Sequence, residues 1–402
     1  MYFERITMYL ASFVHRDELF DIVERCLCDR LEVDDFLKFT QILICDGFVL
    51  GESLKSAGEL LIGMTHGASF IEKRIYTKGE LRDVICGCSN NADARVEELT
   101  RWYKSDPDFF YRETPINGTI CFDAENRLLG IYRIKRPRRI AEKANRYIAN
   151  WILGRVLELA AGMADQRAKS HGLRLEQLIT PHDQMEEEFI SAEKTVAHAF
   201  RDGTMKLEKA AMSIRDVGGI KIVGGPECLE RLESRLADVP SFRIVEKEYF
   251  EGDYRAVSLI LEFQWDREHV CRRYMESEGW ARYLNRGIPD SELKKGLEPF
   301  LAGAADTVFI EVILAAFPDV VESEFGKSIH EERIIRQRHN NTYKGYIPIN
   351  VEFLVEYLFA VGFSPQTRIE RLPIKLWGRY LPDTLIYEIR ELYHIPEFDV
   401  IY

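Results

Sequence analysis

The chain has no apolar run long enough to cross a bilayer. The longest candidate, Val308–Phe317, is short and is interrupted by Glu311. Basic charge is also in deficit: 54 Lys and Arg stand against 66 Asp and Glu among 402 residues, a net charge of −12. That balance argues against a general nucleic-acid coat and a membrane-surface protein, since both rely on a basic field. With 26 glycines and 14 prolines, a fibrous or low-complexity chain is excluded. No internal repeat is visible. The eight cysteines are scattered and suggest no secreted disulfide framework. Cys26/Cys28 and Cys86/Cys88 are close pairs, but i and i+2 do not share a helix face and zinc sites use wider spacing. They read as small buried residues. Met1-Tyr2-Phe3-Glu4-Arg5 opens no signal-peptide pattern, so a cytoplasmic protein is expected.

What is present is enough chain for two domains or one decorated domain. Residues 1–115 read as a helical region, with apolar residues at helical spacing in Asp17–Cys28, Val33–Ile44, Glu52–Ile62, Lys78–Val84 and Val96–Tyr103. Asp34, Ser53 and Thr77 are the expected caps. A hairpin follows at Gly118–Phe122 and Arg127–Ile134, then a long helix from about Ile140 to Arg167 and two further helices over 170–210. Strands are expected at Gly219–Val223, Phe242–Phe250, Tyr254–Trp265 and Asp306–Ala315, with a helix at Glu227–Leu236. In the last strand Val308, Ile310, Val312 and Leu314 alternate with Phe309, Glu311 and Ile313. Helices are expected from Pro318 to about Arg338, at Val351–Val361 and at Thr384–Tyr393. The expected fold is α+β with a small mixed sheet. Its core occupies 116–345, with helical inserts at about 147–212 and 266–305, and 346–402 forms C-terminal helices.

Four features could carry chemistry. Arg133, Lys135, Arg136, Arg138, Arg139, Lys143 and Arg146 against Glu142 give a +6 stretch in a chain whose remainder is −18. It reads as a polyanion site, with guanidinium groups suited to bidentate phosphate contact and purine stacking, or as a solvated basic helix face. Asp216 leads through Val217-Gly218-Gly219 into a strand. A carboxylate there suits Mg²⁺, which is commonly held by one or two carboxylates plus substrate phosphates; a plain turn is the other reading. Tyr254 and Arg255 open a strand after Gly252 and could supply a stacking face and a phosphate contact, or form a surface pair. Glu311, in an apolar strand, needs a cation, a hydrogen bond or a proton.

The joint order of these features resembles the synthetase domain of the RelA/SpoT family of nucleotide pyrophosphokinases. Arg133-Ile134-Lys135-Arg136-Pro137-Arg138-Arg139-Ile140-Ala141-Glu142-Lys143 is similar to the family's Arg-x-Lys-x-x-x-Ser-Ile-x-x-Lys segment, with Arg139 at the serine position. Asp216-Val217-Gly218-Gly219-Ile220-Lys221-Ile222 resembles Asp-x-x-Gly-Ile-Arg-Ile, with Lys221 replacing arginine. Gly252-Asp253-Tyr254-Arg255-Ala256-Val257-Ser258 resembles Gly-Tyr-Arg-Ser-Leu-His, with one extra residue and Ser258 at the histidine position. Phe309 through Ala316 resembles the Val-Glu-Val-Gln-Ile-Arg-Thr strand and keeps Glu311. Glu322 through His330 resembles the acidic helix that follows. The likeness spans roughly residues 130–340, discontinuously.

The resemblance implies a nucleotidyltransferase-like fold and transfer of pyrophosphate from ATP to the 3′-hydroxyl of GDP or GTP. Asp216 would bind Mg²⁺, and Glu311 would complete the metal site or take the acceptor's proton. Arg133 and Lys221 would flank adenine, Lys135 and Lys143 would meet phosphates, Tyr254 would stack on the acceptor base with Arg255 beside it, and His330 would contact the acceptor side. Other acceptors, such as the tRNA 3′ end, remain open. So does a non-catalytic module binding a nucleotide or a regulatory protein partner, or acting as a homo-oligomer. Hydrolase activity is not expected, because the only His-Asp dipeptide, His182-Asp183, falls in a loop-like stretch with no following Glu-Asp.

Overall fold

A computed structural model of the chain describes residues 10–67, 69–207, 214–236, 238–252, 254–326, 345–362 and 372–393. The fold is α+β around one seven-stranded mixed sheet. In chain order the elements are α1 (Arg16–Leu27), α2 (Asp35–His66), β1 (Ile71–Thr77), α3 (Lys78–Ile85), α4 (Ala94–Ser105), β2 (Pro115–Phe122) and β3 (Leu128–Ile134). Next come α5 (Pro137–Ser170), α6 (His182–Asp202), β4 (Gly218–Val223), α7 (Pro226–Leu236), β5 (Phe242–Phe250) and β6 (Ala256–Gln264). The rest are α8 (Arg267–Glu276), α9 (Asp290–Leu293), β7 (Thr307–Ala315), α10 (Phe317–Phe325), α11 (Tyr346–Val361) and α12 (Pro382–Tyr393). The strand order is β1-β2-β3-β4-β7-β6-β5, with only β4 and β7 parallel.

The sheet is covered on both faces. The second half of α2 lies across one face, where Val49, Leu54, Leu61 and Ile62 meet Ile220, Ile222, Ile310 and Val312. The opposite face meets α3, α4 and α10 through Leu81, Leu99 and Val320 packed around Ile131 and Ile120. A third core, made by α1, the first half of α2, α5, α6 and α11, stands at one end. Residues 266–305 build onto the α2 face, where Leu297 and Leu301 are buried.

Several expectations change. The region 1–115 contributes a strand as well as helices, because β1 pairs with β2 at the sheet edge. Its Glu72, Lys73 and Arg74 are exposed and only Ile75 is buried, so no period-two pattern marks it. The two expected helices over 33–62 are one helix, α2, and Ser53 is buried within it rather than capping a second. Thr77 does cap α3, accepting from the Glu80 amide, whereas Asp34 precedes α2 without a side-chain cap bond. The expected pair of helices over 170–210 is a short 3₁₀ turn, Leu175–Gln177, followed by α6. His182-Asp183 opens α6 rather than lying in a loop. The helix expected from Pro318 begins as α10, and its continuation toward Arg338 lies outside the described residues.

The approach of α2 to the sheet is set by Gly130 in β3. A Cβ there would lie 2.9 Å from both the Lys221 carbonyl oxygen and Ile62 Cδ1. Gly130→Ala is therefore expected to cost about 1–3 kcal/mol, as overpacking does. A denaturant midpoint lowered with an unchanged m-value would report it; an unchanged midpoint would show that the contact relaxes freely.

Candidate functional site

Three strands align the site in one row. Arg133 of β3 pairs with Gly219 of β4, and Gly219 pairs with Glu311 of β7. Neighbouring strands lie about 4.8 Å apart, so Arg133 and Glu311 flank a position that carries no side chain. One step along, Ile131, Lys221 and Ile313 form the next row on the same face. The second glycine, Gly218, faces the other way, where Leu50 Cδ1 would stand 3.1 Å from a Cβ. Close approach at Gly218 thus serves helix packing.

Asp216 sits just before β4. The Lys135 amide donates to the Val217 carbonyl at 2.8 Å, which fixes the chain beside it. The Lys135 ammonium donates to Asp216 Oδ2, and Lys143, from the second turn of α5, donates to the same oxygen at 2.7 Å. Asp216 Oδ1 is buried with no hydrogen-bond partner. Burial opposes its charge, but the two ammonium groups win and hold the carboxyl down at about 2. Burial pushes the Glu311 carboxyl up, with the Asp216 charge adding to it against Lys135, Lys143 and Arg133. Burial lowers Lys135 despite both carboxylates. Asp216, Glu311, Arg133, Lys135 and Lys221 line one pocket with a free volume of about 50 Å³.

A buried ion cluster forms its far wall. Glu324 of α10 lies 2.9 Å from Lys78, 3.8 Å from Lys221 and 3.9 Å from Arg82. Lys221 also donates to Ser323 Oγ at 3.1 Å. Burial lowers the Lys221 ammonium to about 8, and the surrounding cations hold the buried Glu324 carboxyl well below the usual glutamate range.

The structure thus brings together Arg133, Lys135, Lys143, Asp216, Lys221 and Glu311. Tyr254 and Arg255 are not among the pocket's lining and lie just before the start of β6: Tyr254 stacks on Phe250 at 6.3 Å, and the Arg255 amide donates to Asp319 at 2.7 Å. His330 lies outside the described residues. Of the basic stretch, Arg138 and Arg139 pair with Glu142 on their own helix. Sequence reasoning missed Lys78, Arg82 and Glu324. Lys78 and Glu324 are 246 positions apart, and nothing local marks either as buried. No protein-family model, curated protein or solved structure matches the chain.

Glu324 balances three cations, so Glu324→Gln is expected to cost about 3–5 kcal/mol at neutral pH, the usual result of stripping one partner from a buried pair. The lowered carboxyl contributes stability that is full above the unfolded glutamate value of about 4.3 and is lost as pH falls through its folded value. The gap between wild type and variant should accordingly close only in strong acid. Equal stability of the two proteins at pH 7 would refute this role.

Proposed function

We propose that the chain is a pyrophosphokinase-like transferase on a nucleotidyltransferase-like fold of the RelA/SpoT synthetase type. It would move pyrophosphate from ATP to the 3′-hydroxyl of GDP or GTP. One observation supports this reading above others: Asp216 and Glu311 reach a single pocket flanked by Arg133, Lys135 and Lys143. Phosphoryl-type transfer depends mostly on positioning and on neutralising phosphate charge, and this set of residues can supply both.

The residues fit Mg²⁺. The unpartnered Asp216 Oδ1 is a hard oxygen donor, and Glu311 offers a second carboxylate in the same pocket. Among the described residues no group of three or more His, Cys, Asp or Glu could hold a metal alone, so substrate phosphates would complete the set, as is usual for magnesium. When bound, the ion would neutralise charge on the transferring group. The protein's own part is positional and protic. Lys135 and Lys143 meet phosphate oxygens, and Arg133 lies against the donor. The acceptor oxygen attacks the β-phosphorus, its proton passes to Glu311, and the bond from that phosphorus to the α–β bridging oxygen breaks. AMP leaves. A carboxyl raised by burial is a better base than an exposed one.

A second reading, a non-catalytic nucleotide- or partner-binding module, draws on the pocket's size. About 50 Å³ is well below the roughly 300 Å³ at which small-molecule pockets begin, so a nucleoside triphosphate would need the walls to part. The deciding assay incubates the protein with Mg²⁺, labelled ATP and GDP, GTP or deacylated tRNA. Label should move to GDP or GTP, drop about 10²–10⁴-fold in Glu311→Gln, and fall to background in Asp216→Ala. Transfer to tRNA alone would reassign the acceptor. No transfer to any acceptor would sink the enzyme reading.

A further inference from the structure

A larger concavity lies at the same end of the sheet on the opposite face. Arg74, Thr119 and Tyr132 form one cross-strand row there, and α2 and residues 282–283 close a groove of about 530 Å³ over it. Small-molecule sites commonly occupy about 300–1,000 Å³, so the groove has room for a mononucleotide where the carboxylate pocket does not. Of residues 266–305, Arg282 and Tyr283 border this groove, and none lines the Asp216–Glu311 pocket.

Its charge is one-sided. Lys55, Arg74 and Arg282 line it against a single carboxylate, Glu52, and Arg273 stands 3.5 Å from that carboxylate. Among the described residues Arg282 makes no ion pair within 4 Å. The Arg282 guanidinium lies 5.9 Å over the Tyr283 ring. Arg74 donates to the neutral Asn117 side chain. Lys55 is 3.7 Å from Glu59, an exposed pair of the kind that contributes little. Three cations from separate segments thus converge on a water-facing hollow in a chain of net charge −12. No core packing requires that arrangement, since Lys55, Arg74 and Arg282 all reach solvent. Guanidinium forks suit phosphate oxygens. The exposed Tyr76 and half-buried Tyr283 add ring faces on which a base can lie.

We infer that this groove is a binding site for a nucleoside phosphate, separate from the Asp216–Glu311 pocket. Arg133 borders both cavities, but its side chain belongs to the Glu311 face, so the groove's positive charge comes from Lys55, Arg74 and Arg282. The inference stands whether or not the protein transfers pyrophosphate. Its test is calorimetric titration of the full chain with GDP and with inorganic pyrophosphate in EDTA, so that no divalent ion bridges a ligand to Asp216. GDP should bind more tightly than pyrophosphate, at least tenfold more weakly in the Lys55→Gln/Arg282→Gln double variant, and with unchanged affinity in Asp216→Asn. Arg74→Gln should weaken GDP as well, which keeps the test decisive if the double variant fails to fold. Unchanged GDP affinity in the groove variants, no GDP binding at millimolar concentration, or loss in Asp216→Asn alone would overturn the proposal. Pyrophosphate binding as tightly as GDP would overturn the nucleoside assignment.

Discussion

The site depends on the register of one parallel strand pair. β4 and β7 align Gly219 with Glu311, and the antiparallel β3 brings Arg133 into the same row. A slip of one residue would send Glu311 to the opposite face, among the leucines of α2. What prevents the slip is apolar packing: Ile220, Ile222, Val308, Ile310 and Val312 are all buried against α2 and its neighbours. The residues that aim the carboxylate are therefore not the residues that would use it. This also explains why a glutamate is tolerated in an otherwise apolar strand. Its alternate position belongs to a face where Lys135, Lys143 and Arg133 offset part of the burial cost.

Charge counted along the chain and charge arranged in space are different quantities here. The +6 stretch at Arg133–Arg146 suggests an open polyanion field, but much of it is already answered. Arg138 and Arg139 pair with Glu142, and Lys135 and Lys143 share one oxygen of Asp216. Positive charge instead collects where sequence distance hides it, in Lys78, Arg82 and Lys221 around Glu324 and along the groove rim.

The sheet was largely legible, for a physical reason. β4, β6 and β7 are central strands whose apolar residues alternate or run together, and β2 with β3 is a hairpin joined by a short polar turn. β1 was not, because an edge strand with charged residues on both faces carries no period. The unbroken course of α2 was not legible either. Gly47 and Gly51 cost helix propensity locally, and burial of Phe48, Val49 and Leu54 against the sheet overrides that cost. Asp216 and Glu311 could be picked out because each breaks a local apolar or glycine pattern. Lys55, Arg74 and Arg282 could not, since a single exposed cation looks the same wherever it stands.

The lysine pair on Asp216 bears on how a site of this kind is kept ready. An aspartate held at about 2 by two ammonium groups is ionised at any physiological pH, so a cation arriving there displaces no proton. On the pyrophosphokinase reading, a nucleotide would bring its phosphates and the cation together. Lys135 and Lys143 would then exchange a carboxylate oxygen for phosphate oxygens, and Asp216 would be left to hold the cation. Each group would keep a partner of opposite charge, which limits the cost of leaving a buried charge unpaired. The same logic does not extend to Lys221. Its ammonium, lowered to about 8, is tied to Ser323 and Glu324. Drawing it toward a substrate would leave the Glu324 cluster one cation short in a buried environment, so in this chain Lys221 acts first as a wall of the pocket.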